Sequence, residues 1–156
     1  VKILKYIKIY PFLFLKIAVM NSRIFIIITI IIFNSCGDSN DYIQNVYVDI
    51  DIDLSLPEFS ELVAFGNSVF IKGGNKGIII YHFADKEYRI YDRNCSYEPS
   101  LECSQIDSIS STIAYCGCCT SAFLLDQDGI AANDPAIEPL KGYSYELKNN
   151  LLKIYN

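Results

Sequence analysis

The sequence predicts an all-β domain of many short strands, preceded by a separate apolar segment. Apolar and polar residues alternate strictly from Val46 to Leu56, which is the period of a strand with one buried face. Short β-like runs separated by turn residues follow, and no helical period of ten residues or more occurs after Cys36. The chain also has twelve tyrosines and nine phenylalanines, which favour sheets.

Residues 1–35 are predicted to be a signal peptide. From Ile24 to Phe33 all residues but one are Ile or Phe, and Arg23 precedes this run. Ten residues span about 15 Å as a helix, which is half of a bilayer core, so the run is short for a membrane span. A basic residue, a short apolar run and then small residues are the layout of a signal peptide. We expect Met20 to be the true start, with residues 1–19 upstream of it.

Cys36 lies between this apolar run and the polar stretch that begins at Gly37. A small residue, Ser35, precedes it, as in a bacterial lipobox, where the cysteine is lipidated and becomes the new N-terminus. We therefore expect a lipoprotein that is anchored through Cys36 in one or the other membrane leaflet of the bacterial cell envelope. The alternative is an uncleaved anchor, helped by the apolar stretch from Ile9 to Val19.

The chain after residue 35 is acidic. It holds 8 basic and 18 acidic residues, a net charge of −10. An acidic domain gains nothing from phosphate backbones, so no nucleic-acid partner is expected. Residues 36–56 are predicted to form the lipidated cysteine and an acidic tether that docks as an edge strand, and residues 57–156 form the β domain.

The strands after Pro57 are predicted from short runs bounded by turn signals. The run at 78–83 is expected to be buried on most of its length, and Asn149-Asn150 is expected to turn the closing hairpin. A strand rather than a helix follows the glycine-rich turn at 73–77, which excludes a phosphate-binding loop. The predicted strands cover residues 68–72, 78–83, 88–91, 112–115, 122–125, 143–147 and 151–155.

The five cysteines after Cys36 all lie between Cys95 and Cys119, and an oxidising envelope permits disulfides among them. The first motif is Cys95-Ser96-Tyr97, and Cys103 follows it. The second motif is Cys116-Gly117-Cys118-Cys119-Thr120-Ser121-Ala122-Phe123, and a third segment runs Asp134-Pro135-Ala136-Ile137-Glu138-Pro139-Leu140.

This series, from about Val69 to Ile154, resembles the Rieske ferredoxin family. In that family, a C-x-H loop and a C-P-C-H-G-S-x-F loop hold a 2Fe–2S cluster, and a G-P-A-x-x-x-L segment covers it. The resemblance implies antiparallel sheets, two cysteine-bearing loops at one tip, and electron transfer to a protein partner. It places Cys95 and Cys116 on the cysteine ligands, Cys103 and Cys118 near an inter-loop disulfide, and Tyr97 and Cys119 on the two histidine positions.

The chain departs from the family at both histidine positions. A Rieske centre places two imidazoles on one iron, whereas this sequence contains one histidine. That residue, His82, lies in the predicted strand 78–83, before the first loop. A normal Rieske cluster is therefore excluded by counting.

Four interpretations of the cysteines remain open. In the first, the cluster is lost and disulfides hold the loops together. A Cys103–Cys118 bridge would then stabilise the fold by about 3 kcal/mol. Alternatively, an altered 2Fe–2S cluster uses Cys95, Cys116, Cys119 and Cys103, or three or four of these thiolates hold zinc. In the last interpretation, Cys116 and Cys119 are a redox-active C-x-x-C pair.

The predicted function is that of an envelope lipoprotein with an ancestral electron-transfer domain. Its competing class is a metal-free, disulfide-stabilised structural or binding lipoprotein, with zinc binding as a minor alternative. No Ser–His–Asp set can be argued from the spacing, so we do not expect an enzyme.

Overall fold

A computed structural model describes residues 42–156 of the chain. The predicted signal peptide, Met20 and Cys36 lie outside the described residues. Within them, no helix is long and apolar enough to span a membrane. The elements are β1 (Asp49–Asp53), a 3-10 helix (Pro57–Val63), β2 (Ser68–Ile71), β3 (Ile78–Ala84), β4 (Glu87–Asp92), β5 (Ile106–Ser110), β6 (Ile113–Cys116), β7 (Ala122–Leu124), β8 (Ile130–Ala131), β9 (Ser144–Lys148) and β10 (Leu151–Tyr155).

The strands form three antiparallel sheets, which confirms the predicted all-β class. Their strand orders are β1-β10-β9, β2-β3-β4 and β5-β6-β7-β8. Hairpin connections join β3 to β4 and β9 to β10, as expected from the turn residues between them. The third sheet carries the second cysteine motif, since β6 ends at Cys116 and β7 begins at Ala122.

The alternating run at 46–56 docks as an edge strand, as predicted. β1 pairs with β10, with Ile50 opposite Ile154 and Ile52 opposite Leu152. Val48 and Ile52 are buried, whereas the aspartates between the apolar residues of β1 are exposed. The alternation therefore places one face of this segment in the core and the other in solvent.

The middle sheet separates two apolar cores. Along β3, Ile78 and Ile80 face one core, and Ile79 and Tyr81 face the other, because successive side chains point to opposite faces. The first we call the aliphatic core: Val48, Ile52, Phe59, Leu62, Ile78, Ile80, Ile90, Tyr143, Leu152 and Ile154. The second we call the cysteine core: Ile79, Tyr81, Tyr91, Cys95, Ile106, Ala114, Cys116, Phe123, Leu125, Ala136 and Leu140.

Three elements were not predicted from the sequence. β5 is polar and mostly exposed, and β8 has only two residues, so neither shows an apolar alternation. The 3-10 helix begins at Pro57 and buries Phe59 and Leu62, which are three residues apart, in the aliphatic core.

The glycine-rich turn at 73–77 binds a carboxylate of the chain itself. Asp92 is fully buried and accepts hydrogen bonds from the backbone N–H of Asn75 (2.6 Å) and Asn94 (2.7 Å). It also accepts one from the hydroxyl of Tyr143 (2.6 Å), whose pKa is raised by burial and by this bond. Gly74 has φ +61°, and a side chain there would collide with the Asp92 carboxylate. An internal anion thus occupies the amides that a phosphate loop would offer to a ligand.

Candidate metal centre

The first cysteine loop runs from β4 to β5 and closes on itself. An isolated bridge joins Asn94 to Gln105, and the N–H of Cys95 donates to the carbonyl of Ser104 at 3.0 Å. The ammonium group of Lys76 donates to three backbone carbonyls of the loop, those of Pro99, Leu101 and Ser104. This cation holds the loop against the glycine-rich turn, and Cys95 beneath it is fully buried.

The second cysteine loop runs from β6 to β7 and lies beside the first. Cys116 pairs with Ile106 at the start of β5, and its N–H donates to the carbonyl of Ser121 at 3.1 Å. The N–H of Gly117 donates to the carbonyl of Gln105 at 3.2 Å, which joins the two loops directly. β5 and β6 are antiparallel neighbours, so the start of β5 lies beside the end of β6. The first loop ends at the one and the second loop begins at the other, which brings the two loops together.

A disulfide between Cys103 and Cys118 links the loops, with their Cα atoms 5.2 Å apart. These are the two cysteines to which the resemblance assigned an inter-loop bridge. The closed loop contributes about 3 kcal/mol in the chain-entropy account. With Cys103 in this bridge, three free thiols remain of the four candidate ligands.

The three free thiols lie together. The sulfur atoms of Cys95, Cys116 and Cys119 are all within 4.8 Å of one another, and those of Cys95 and Cys119 are 3.8 Å apart. Cys95 and Cys116 are buried, and Cys119 is half-buried. Sulfurs that share one tetrahedral metal ion at about 2.3 Å lie about 3.8 Å apart. The spacing therefore suits a single ion.

The thiols differ in how readily they ionise. Burial raises the pKa of Cys95 and of Cys116. Burial also acts to raise the pKa of Cys119, but hydrogen bonds from Ser121 and from the other two thiols outweigh it, so the pKa lies below its ordinary value. Cys119, at the solvent side of the group, is thus the thiol that loses its proton first.

No cationic side chain from the cysteine-bearing part of the chain compensates these thiols. Residues 94–140 contain no Lys or Arg. Arg93, at its edge, donates to the carbonyl of Ile106 and lies over the ring of Phe70, 4.1 Å from the centroid. The segment contains seven acidic residues: Glu98, Glu102, Asp107, Asp126, Asp128, Asp134 and Glu138.

The two former histidine positions behave differently. Cys119 joins the thiol group, whereas Tyr97 is half-buried against the cysteine core and its carbonyl accepts a hydrogen bond from Ser104 Oγ at 2.7 Å. His82 is buried in β3 and stacks on Tyr88, with ring centroids 4.7 Å apart and planes 14° apart. It is not among the residues that meet at the thiols.

The Pro-Ala segment, which the resemblance implies to be a cover of the site, is hydrogen-bonded to both cysteine loops. The N–H of Ala136 donates to Ser121 Oγ (2.9 Å), and Ser96 Oγ donates to the carbonyl of Glu138 (2.6 Å). These two serines, like Lys76, support the loops and were not predicted as site residues. Little in the sequence indicated these roles. Each of the three residues lies in or near a motif in which only the cysteines and the histidine positions suggest ligands.

The residues do not fit a Rieske cluster. Among residues 42–156 no imidazole reaches the thiols, and the group contains three ligands rather than four. An all-cysteine 2Fe–2S cluster also needs a fourth thiolate, which the disulfide removes. The geometry fits one thiophilic ion better than two irons.

No family model matches this chain, and no curated protein is significantly similar to it. Among solved structures, it is similar to a chain of the complex of reduced oxygenase and oxidized ferredoxin in carbazole 1,9a-dioxygenase, with 12% identity and a TM-score of 0.46 over 72% of this chain and 94% of that one. It is also similar to a putative NADH-dependent nitrite reductase small subunit from Mycobacterium tuberculosis, with 12% identity and a TM-score of 0.42 over 72% and 97%. At these values the likeness gives no information on activity or cofactor.

Proposed function

We propose that the chain is a lipid-anchored protein of the bacterial cell envelope whose domain is a divergent Rieske-like module that binds metal through three thiolates. The observation that supports this is the convergence of Cys95, Cys116 and Cys119, which two separate loops bring within 4.8 Å of one another. Two of three cysteines that lie this close in an oxidising compartment would pair as a disulfide unless a metal ion protected them. Electron transfer through a 2Fe–2S cluster is the ancestral activity in this proposal, and enzymatic turnover is not part of it.

The tip that carries the thiols is also the proposed contact surface for an envelope protein. Two apolar side chains stand out from it: Ile137 is 86% exposed and Leu101 is 44% exposed. Each has an acidic neighbour in the sequence, Glu102 beside Leu101 and Glu138 beside Ile137. Exposed apolar residues next to acidic ones suit a partner whose own contact face is basic.

The test of the metal proposal is elemental analysis of anaerobically purified protein lacking residues 1–36. We expect about one metal equivalent per chain, and we expect Cys116→Ser, which removes one candidate ligand, to lose it. Thiol counting supplies the second measurement: the metal-free protein should show three free thiols without reductant and five with it. A colourless protein that holds no metal under these conditions would contradict the proposal.

The anchor has its own test. The unmodified full-length chain should incorporate labelled fatty acid and lose residues 1–35, and Cys36→Ser should do neither, because no lipid can be attached to serine. A membrane-bound, unmodified chain that carries no lipid and keeps residues 1–35 would support the uncleaved-anchor alternative.

The Cys103–Cys118 disulfide favours a second candidate, a metal-free binding lipoprotein with a rigid tip. In that case a chelator leaves partner binding unchanged, whereas reduction of the disulfide weakens it. Under the first proposal the chelator also weakens binding, because the thiol group helps to order the tip.

A further inference from the structure

We infer that Cys95, Cys116 and Cys119 form a mononuclear zinc site with three thiolate ligands and an open fourth position. The inference rests on the proposed function only in that the site binds metal. It goes further by naming one divalent ion in place of an iron–sulfur cluster.

The sulfur positions distinguish one metal from two. A 2Fe–2S cluster carries its protein ligands at opposite ends, two on each iron, so ligands on different irons lie farther apart than ligands on one. Here Cys119 stands at a former histidine position, which in the family serves the second iron. Its sulfur nevertheless lies 3.8 Å from that of Cys95, at the separation expected for two thiolates on one ion.

The charge of the site distinguishes zinc from a monovalent thiophilic ion. Three thiolates with Zn²⁺ carry a net charge of −1, whereas three thiolates with Cu⁺ carry −2. Cys95 and Cys116 are buried, residues 94–140 contain no Lys or Arg, and the Lys76 ammonium at the first loop donates to backbone carbonyls. Because uncompensated buried charge is costly, the divalent ion is favoured.

The fourth position is open among the described residues. No other His, Cys, Asp or Glu side chain of residues 42–156 joins the group. Cys119 is half-buried, so solvent reaches one side of the group. Zinc with three protein ligands holds water or another exchangeable ligand in its fourth position. A side chain or thiol of the docked partner is of the right chemistry to replace that water.

Binding is balanced by proton release. Zn²⁺ enters as three neutral thiols each give up one proton to solvent, so the disulfide is untouched and nothing is oxidised or reduced. The net charge of −10 on the chain after residue 35 raises the local concentration of cations.

The experiment titrates Co²⁺ into chelator-treated, anaerobic protein with its disulfide intact. We expect thiolate-to-cobalt charge-transfer bands and tetrahedral ligand-field bands that saturate at one equivalent and disappear when one equivalent of Zn²⁺ is added. Cys119→Ser should weaken zinc binding by more than the roughly 100-fold that loss of an outer-shell partner costs. Cys119 is chosen because it is half-buried, so the serine leaves the fold intact.

The matched control is Glu102→Gln, which changes an exposed residue of the first loop that could bind a cation but is not in the thiol group. It should give the same cobalt bands as the unmodified chain. Unchanged zinc binding in Cys119→Ser would overturn the ligand set. Iron with an equal amount of acid-labile sulfide would overturn the zinc inference and leave the proposed metal function standing. Failure to bind Zn²⁺, Co²⁺ or iron would overturn both.

Discussion

The two faces of the β2-β3-β4 sheet are covered by different chemistry. On one face the aliphatic core is built of aliphatic and aromatic side chains, with the buried Asp92 carboxylate bonded to its Tyr143, whereas the cysteine core on the other contains Cys95 and Cys116. The same strand serves both, because Ile78 and Ile80 point one way and Ile79 and Tyr81 the other. The first face is held by apolar burial and by hydrogen bonds to Asp92, whereas the part of the chain on the second face also has a disulfide.

The charges divide in the same way. All eight basic residues of the chain after residue 35 lie outside residues 94–140, and seven acidic residues lie inside that segment. The cysteine-bearing segment itself thus carries charges of one sign, and cations such as Lys76 and Arg89 reach it from other parts of the chain. In the proposal made above, the sheet is the support, and the cysteine-bearing part binds the metal ion and the partner.

The largest effect is expected where the two sides are joined, at Asp92. Asp92→Ala should lower the free energy of unfolding by about 4 kcal/mol, because several buried donors lose a charged acceptor. Urea unfolding measures this. The control Asp51→Ala, on the exposed face of β1, should change stability by less than about 0.5 kcal/mol. Equal losses in the two variants would contradict the role assigned to Asp92.

Loss of the disulfide should act on the cysteine side alone. Cys103→Ser/Cys118→Ser is expected to lower the free energy of unfolding by about 3 kcal/mol. Hydrogen exchange should then speed up at the amides of Cys95 and Cys116, while those of β10 keep their protection relative to global unfolding. Reductant added to the unmodified chain should reproduce the loss. An equal loss of protection in β10 and at Cys95 and Cys116 would contradict an effect confined to the cysteine side.

Lys76 tests the support of the first loop more gently. Lys76→Met keeps the apolar stem but removes the ammonium group, which leaves three carbonyls without this donor. We expect the free energy of unfolding to fall by about 1–3 kcal/mol. The buried Cys95 thiol should also be alkylated faster. Lys72→Met, at an exposed position of the same segment, is the matched control and should leave the alkylation rate unchanged.

The smallest effect belongs to the exposed ion pair between Asp49 and Lys153, whose charged atoms are 2.9 Å apart. The hydrogen bond from Lys153 lowers the pKa of Asp49. The pair therefore contributes above the unfolded pKa of an aspartate, about 3.9, and its contribution is lost as the pH falls through the lower folded value. Asp49→Asn should show a slight loss in melting temperature at neutral pH that disappears in acid. A loss in melting temperature that is larger in acid than at neutral pH would contradict this pH dependence.

Strands with a strong local pattern could be predicted, and those without one could not. The alternation around Ile50 and Ile52 indicated β1, and Asn149-Asn150 indicated the closing hairpin. β5 is held by its pairing with β6 and by Ile106, which is buried in the cysteine core, so its polar sequence gives little sign of a strand. Strand propensity does not identify β5, because contacts with residues distant in the sequence stabilise this strand.

In the candidate site, the cysteines were identified but their supports were not. The single histidine excluded a His₂Cys₂ centre by counting, and the resemblance implied the Cys103–Cys118 bridge. Nothing in the sequence indicated that Lys76 would hold the first loop or that Asp92 would fill the glycine-rich turn, because these contacts join residues 16–28 positions apart.

The sequence by itself determined the β class, the acidic character and the lack of two imidazole ligands, because composition and period two are local properties. Only the tertiary structure decided that the sulfurs of Cys95, Cys116 and Cys119 meet within 4.8 Å while Cys118, between two of them, turns away to Cys103. The direction of each sulfur depends on how β5 and β6 align the two loops. That alignment is set by pairing between strands and by two cores, which no stretch of sequence contains.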